Sequence, residues 1–184
     1  MTRDDALDLL KQYVQNEKML QHAYASEVVL RSLARRLGGD ENKWGLAGLL
    51  HDIDIEVVGG DLKCHGAKAE SILQAHNVDT EIIDAIRRHN EEASNEPRQS
   101  LLHHALAAGE TITGLITATA LVYPDRKIAS VKAKSVVKRM KEKAFAASVR
   151  RETILECEKL GLSLDEFVAI SLAAMQGISD TLGL

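Results

Sequence analysis

The chain has 184 residues, 45% of them apolar and 27% charged, a globular balance with enough length for one core or at most two small ones. A formal net charge of −4 gives no general pull toward nucleic acid or an anionic membrane. Cys64 and Cys157 stand far apart with no second cysteine near either, which excludes a disulfide framework and a Cys-Cys zinc motif and suits a reducing cytosol.

Two prolines in the whole chain and few β-branched alternations favour an all-α fold. Met1 to Asp5 has no basic region followed by an apolar core, so no signal peptide is expected. The least polar long stretch, Ala105 to Val122, is interrupted by Gly109, Glu110, Gly114 and several threonines and does not read as a membrane span. A cytoplasmic protein without membrane or nucleic-acid partners is the expectation.

Thr2 to Gln15 predicts a short helix, with Thr2 and Asp5 as a capping signature and Ala6, Leu10, Tyr13 and Val14 on one face. Asn16 caps a second helix from Glu17 to about Leu37, closed by Gly38-Gly39. His22 lies in its first two turns, seven residues before Val29 and on the same face. Alone, such a histidine is more commonly a helix-surface residue than a metal ligand.

Asp40 caps a third helix, Glu41 to His51, whose last turns are the apolar run Trp44 to Leu50. The pair His51-Asp52 ends it. Burying an ionised carboxylate beside leucines costs several kcal/mol on the order-of-magnitude scale unless a counter-charge is present. The simplest counter-charge that also employs the imidazole is a metal ion. Asp54 and Glu56 follow in a loop, as solvated acids or as a general acid/base that orients a water.

His65 opens a further helix, and Asp79 or Thr80 caps another in which Ile82, Ile86 and His89 fall in line. An inward histidine of this kind is more often a satisfied core residue than a ligand. His76 falls between these helices and carries no role. Glu91 to Arg98 is a polar loop. A long helix runs from about Gln99 to Ala120, with Leu102, Leu106, Glu110, Thr113 and Thr117 inward and His103 on the face of Glu110. Tyr123-Pro124 ends it.

From Arg126 to Arg151 the chain carries ten Lys/Arg. Val131, Val136, Met140 and Ala144 suggest an interrupted amphipathic helix, whose cations are either a solvated face or a phosphate-recognition surface. Ser163-Leu164-Asp165-Glu166 is a capping box opening a last helix, with Phe167, Ile170, Ser171, Ala174, Met175, Ile178 and Leu182 on its buried face.

Taken together, His22, His51-Asp52, His65, His89 and Glu110 stand in an order that resembles the HD-domain superfamily of metal-dependent phosphohydrolases. The resemblance covers roughly residues 17 to 124, and Ala105 to Ile116 looks like the family's last motif. It implies an all-α HD-domain helical bundle over residues 1–124, with residues 125–184 as a C-terminal helical extension packed on it as one globular unit. His65 and His89 match the two extra histidines of the subgroup that holds two metals. Asp52 would then bridge two ions, with His22, His51 and Glu110 on the first and His65 and His89 on the second. The donor set suits Mn, Fe, Co, Ni, Zn or Mg without choosing among them.

The chemistry implied is hydrolysis of a small phosphorylated substrate, a phosphomonoester or phosphodiester and conceivably a nucleotide, by metal-activated water, with Asp52 and Asp54 as the catalytic carboxylates. Lys63, Lys68, Lys127 and Lys134 are the candidate phosphate clamps. Two departures stand out. The family's last ligand is usually aspartate, where this chain has Glu110, and Asn90 after His89 does not match the double-histidine subgroup of cyclic-dinucleotide phosphodiesterases. The alternatives are a mononuclear hydrolase with His65 and His89 in other roles, a non-catalytic metal- or nucleotide-sensing module, and a di-iron oxygenase.

Overall fold

In the computed structural model, residues 1–94 and 96–184 are described, and all regular structure among them is helical. The helices are α1 (Arg3–Tyr13), α2 (Glu17–Leu37), α3 (Glu41–Leu50), α4 (Ala67–Ala75), α5 (Thr80–His89), α6 (Leu101–Leu121), α7 (Ala133–Met140), α8 (Arg151–Ile154), α9 (Leu164–Gln176) and α10 (Ser179–Leu182). Short 3-10 turns occupy Ile128–Ser130 and Leu155–Leu160.

The caps read from sequence set the boundaries. Thr2 and Asp5 close a reciprocal capping box on α1. Asn16, Asp40 and Asp79 accept the first free N–H groups of α2, α3 and α5. Ser100, expected inside the helix, is the cap of α6: it accepts from His103 N, and His103 Nδ1 accepts from Ser100 N in return. His103 is therefore consumed at the helix start, with Nε2 3.0 Å from Asp84, and does not share in the work of Glu110.

Three expectations for the C-terminal part need correction. The amphipathic helix of the basic tract stops at Met140, and residues 141–150 form turns in which Ala144 is exposed. The last helix ends at Gln176, with α10 a separate short turn. Ser163 caps α9, but Glu166 reaches Arg36 on α2 (2.8 Å) rather than closing the box.

The centre of the fold is the packing of α2 against α3, with α6 laid across both. Gly48 permits the closest approach: a Cβ there would stand 2.6 Å from the Ser26 carbonyl oxygen of α2. α5 fills the space between α3, α4 and α6, while α8 and the Leu155–Leu160 turn cover α6 and α9 packs on α2. A single hydrophobic cluster runs from Ala6 through Leu30, Leu50, Ile86 and Leu106 to Phe167 and Leu182. Glu27, 2% exposed, is held by Arg3 of α1 (2.7 and 2.8 Å) and Arg31 (2.9 Å), which neutralise it where burial alone would be costly. Among the described residues no helix is long and apolar enough to cross a membrane.

Candidate metal centre

Four histidines and two carboxylates meet where α2, α3, α5 and α6 converge. α2 supplies His22, the end of α3 supplies His51 and Asp52, the turn before α4 supplies His65, α5 ends on His89, and α6 brings Glu110. Burial of this group follows from the helix faces: the inner stripe that carries Val29 and Leu30 on α2, or Ile82 and Ile86 on α5, runs on to the polar residue at its end.

Asp52 lies at the centre, and its two oxygens divide the histidines into pairs. Oδ2 is 3.3 Å from His51 Nε2 and 3.6 Å from His22 Nε2. Oδ1 is 3.0 Å from His65 Nε2 and 3.7 Å from His89 Nε2. Within each pair the Nε2 atoms nearly touch, at 3.1 Å for His22 and His51 and 3.0 Å for His65 and His89. Glu110 joins the first pair, with Oε2 3.8 Å from His22 Nε2.

Every imidazole is anchored through its other nitrogen. His51 Nδ1 donates to the Gly48 carbonyl at 2.8 Å and His89 Nδ1 to the Ile86 carbonyl at 2.5 Å. His22 Nδ1 donates to Thr113 Oγ1 at 2.9 Å, because the Thr113 hydroxyl proton is already given to the Glu110 carbonyl at 2.7 Å. His65 Nδ1 donates to Asp54 Oδ1 at 2.7 Å. With all four Nδ1 atoms committed as donors, the rings aim four Nε2 atoms at Asp52, the arrangement that metal-binding histidines require.

Two lone pairs 3 Å apart repel unless a proton or a cation lies between them. The charges around the rings act on the two members of each pair in opposite directions. Burial presses on the His51 cation, yet Asp52 and Glu110 outweigh it and raise the ring's pKa, whereas burial and the neighbouring His51 push His22 down to about 4. Burial likewise opposes the His65 cation, but Asp52 and Asp54 push it up to about 9, while burial and then the charges on His51 and His65 depress His89. Within each pair one ring is thus shifted toward its cation and the other toward its neutral form. Burial raises Asp52, but His51, His65 and His89 more than reverse this and keep it well below the usual carboxylate range. Burial pushes Glu110 up to about 7. His22, His51 and Asp52 form one group able to hold a metal ion, and Asp52, His65 and His89 a second. Imidazole nitrogen and carboxylate oxygen in this proportion fit a divalent transition metal.

A family model for the HD domain matches residues 19–121, over half of the chain. The chain belongs to the HD-domain family. HD domains are typically metal-dependent hydrolases, and the family binds divalent metals; all six converging donors of this HD domain fall inside the matched residues. The match begins in α2 before His22 and ends at the last residue of α6.

The centre forms the floor of a cleft of about 350 Å³ whose walls include Met19, Ile55, Leu62, Thr111 and Val149. Several residues singled out in the sequence stand elsewhere. Asp54, expected as a catalytic carboxylate, is fully buried behind His65, its Oδ2 accepting from Gly66 N and Ala69 N (both 2.8 Å), and it does not line the cleft. Lys63, Lys68, Lys127 and Lys134 are exposed and none lines the cleft. The cations that do line it are Arg98 and Arg150. Arg98 had no signal in the sequence beyond being the last residue of a polar loop. Arg150 lay within the basic tract, where nothing in a run of ten cations marks out the one that folds back. Thr113, read only as an inward residue of α6, orients His22.

Proposed function

We propose that this HD domain is a phosphohydrolase acting on a small phosphorylated substrate, a phosphomonoester or phosphodiester, nucleotides among them, with two divalent ions at the centre. The observation that supports it is the division of four Nε2 atoms between the two oxygens of one carboxylate at the floor of an open cleft. In this reading Asp52 serves both ions, His22, His51 and Glu110 complete the first set, and His65 and His89 complete the second. Divalent cations held there supply Lewis-acid activation of water and of a phosphoryl group.

The chain's own residues do the rest. Asp52, whose pKa the surrounding imidazoles hold well below the usual carboxylate range, provides negative charge at both halves of the site. Asp54, Thr113 and the carbonyls of Gly48 and Ile86 hold the Nδ1 protons, so no ring has to turn for its Nε2 to face the cleft. Glu110 is longer by a methylene than the aspartate usual at this position and reaches back toward His22 from the middle of α6.

The test is elemental analysis of protein purified without a metal-affinity tag, beside His89→Ala, followed by a screen of phosphomonoesters, phosphodiesters and nucleotides with Mn, Ni and Co. About two equivalents in the wild type, falling to about one in the variant, together with turnover, is the expected result. One equivalent in both removes the second ion. No uptake even on reconstitution overturns the hydrolase reading.

A further inference from the structure

The two arginines at the cleft differ in how far their donors are spent. Arg98 has a side chain only 6% exposed. Its Nε donates to the Arg88 carbonyl (3.0 Å), its Nη2 to the His89 carbonyl (2.6 Å), and its Nη1 to Glu91 Oε1 (2.7 Å) and to Glu156. It is a brace for the end of α5. Arg150 is 55% exposed, and among the described residues its one ion pair is Nη2 to Glu91 Oε2, at 3.0 Å. The Glu91 carboxylate therefore gives one oxygen to each arginine, fixed by the buried one and lent to the exposed one.

The segment that carries Arg150 is held without that pair. Arg151 gathers the turns of residues 141–150 through their carbonyls, donating to Ala146 and Val149 (both 2.7 Å) and to Phe145. The same segment seats Val149 on α6 at Gly114, where an added Cβ would come within 3.3 Å of Val149 Cγ2. Arg150 can exchange its partner while the backbone beneath it stays in place. Exchange costs little, because an exposed guanidinium–carboxylate pair contributes little. A phosphate offers the same fork geometry with more negative charge.

We propose that Arg150 is the substrate-anion group of the cleft, and that Glu91 occupies the place on its guanidinium which a phosphate oxygen of the substrate takes. This rests on the phosphohydrolase reading of the centre. It assigns substrate recognition to Arg150 in place of the four lysines considered from sequence, and it makes Glu91 a competitor that keeps non-phosphorylated anions of weaker charge from the site.

The test uses the metal-loaded full chain, with inorganic phosphate titrated by calorimetry and 4-nitrophenyl phosphate as the kinetic probe. Arg150→Ala should weaken phosphate binding and raise KM about tenfold with little change in kcat or metal content, and Arg150→Lys should recover part of the loss. Glu91→Gln keeps an acceptor for Arg98 but removes the competing charge. It should tighten phosphate binding about threefold, and that gain should vanish in the Arg150→Ala background. Unchanged phosphate affinity in Arg150→Ala, or weaker binding in Glu91→Gln, overturns the assignment. A wild type that loads metal but turns over no phosphoester overturns the hydrolase reading instead, and the phosphate titration, which needs no turnover, still decides Arg150.

Discussion

Asp54 holds His65 from behind and closes the start of α4 with the same carboxylate: Oδ1 takes the His65 Nδ1 proton at 2.7 Å and Oδ2 takes Gly66 N and Ala69 N at 2.8 Å. Helix α4 has no side-chain cap of its own, since Gly66 occupies the cap position at φ +95°, a backbone region open to glycine. One buried acid thereby couples the orientation of a centre histidine to the folding of a helix.

An asparagine at position 54 has one acceptor oxygen where two are in use. Asp54→Asn must leave either His65 Nδ1 or the two backbone N–H groups facing an amide NH₂, at a cost of about 1–3 kcal/mol for the unsatisfied donors. Metal affinity should fall roughly 10- to 100-fold, the usual effect of losing a second-layer partner. Competitive chelator titration measures it; an unchanged affinity would show that His65 is not a ligand.

Stability of the metal-free protein should depend on pH with a definite sign. Between about 6.5 and 9 the groups that titrate differently on folding are His65, raised to about 9, His51, raised, and Glu110, raised to about 7. A raised pKa gives stability that is complete below the unfolded value and lost as pH climbs through the folded one. His22 and His89, which are lowered, act only below 6.5. Chelated protein should therefore lose thermal stability from pH 6.5 to 9. Protein loaded with metal should not, because the cations take the place of protons at the same atoms; loading should release protons, readable by calorimetry in buffers of different ionisation enthalpy.

Gly48 is fixed by contact with backbone and Gly109 by contact with a side chain. A Cβ at position 48 meets the Ser26 carbonyl at 2.6 Å, so Gly48→Ala must push α3 from α2 and carry His51 with it. The expected loss is about 1–3 kcal/mol, or roughly 3–10 °C in Tm for a chain of this size, with reduced metal occupancy. At position 109 the nearest atom is Leu30 Cδ2 at 2.7 Å, the far end of a flexible side chain, so Gly109→Ala should cost less and leave occupancy intact. Equal losses in the two variants would contradict this account of the α2–α3 approach.

The sequence by itself determined the helices and the order of the ligands. Caps at Thr2, Asn16, Asp40 and Asp79 are local hydrogen-bond chemistry, and the inward placement of His22, His89 and Glu110 follows from a 3.6-residue period, so both can be read along the chain. The family order of His22, His51-Asp52, His65, His89 and Glu110 is likewise linear information. Only the tertiary structure decided that the histidines pair on separate oxygens of Asp52, that Asp54 lies behind His65 rather than in the cleft, and that Arg98 and Arg150 reach the cleft while Lys63, Lys68, Lys127 and Lys134 do not. Those facts depend on where turns and irregular segments fold back over the bundle. Such segments lack a period, and a long cationic side chain is equally at home in solvent until a distant carboxylate such as Glu91 gives it a place.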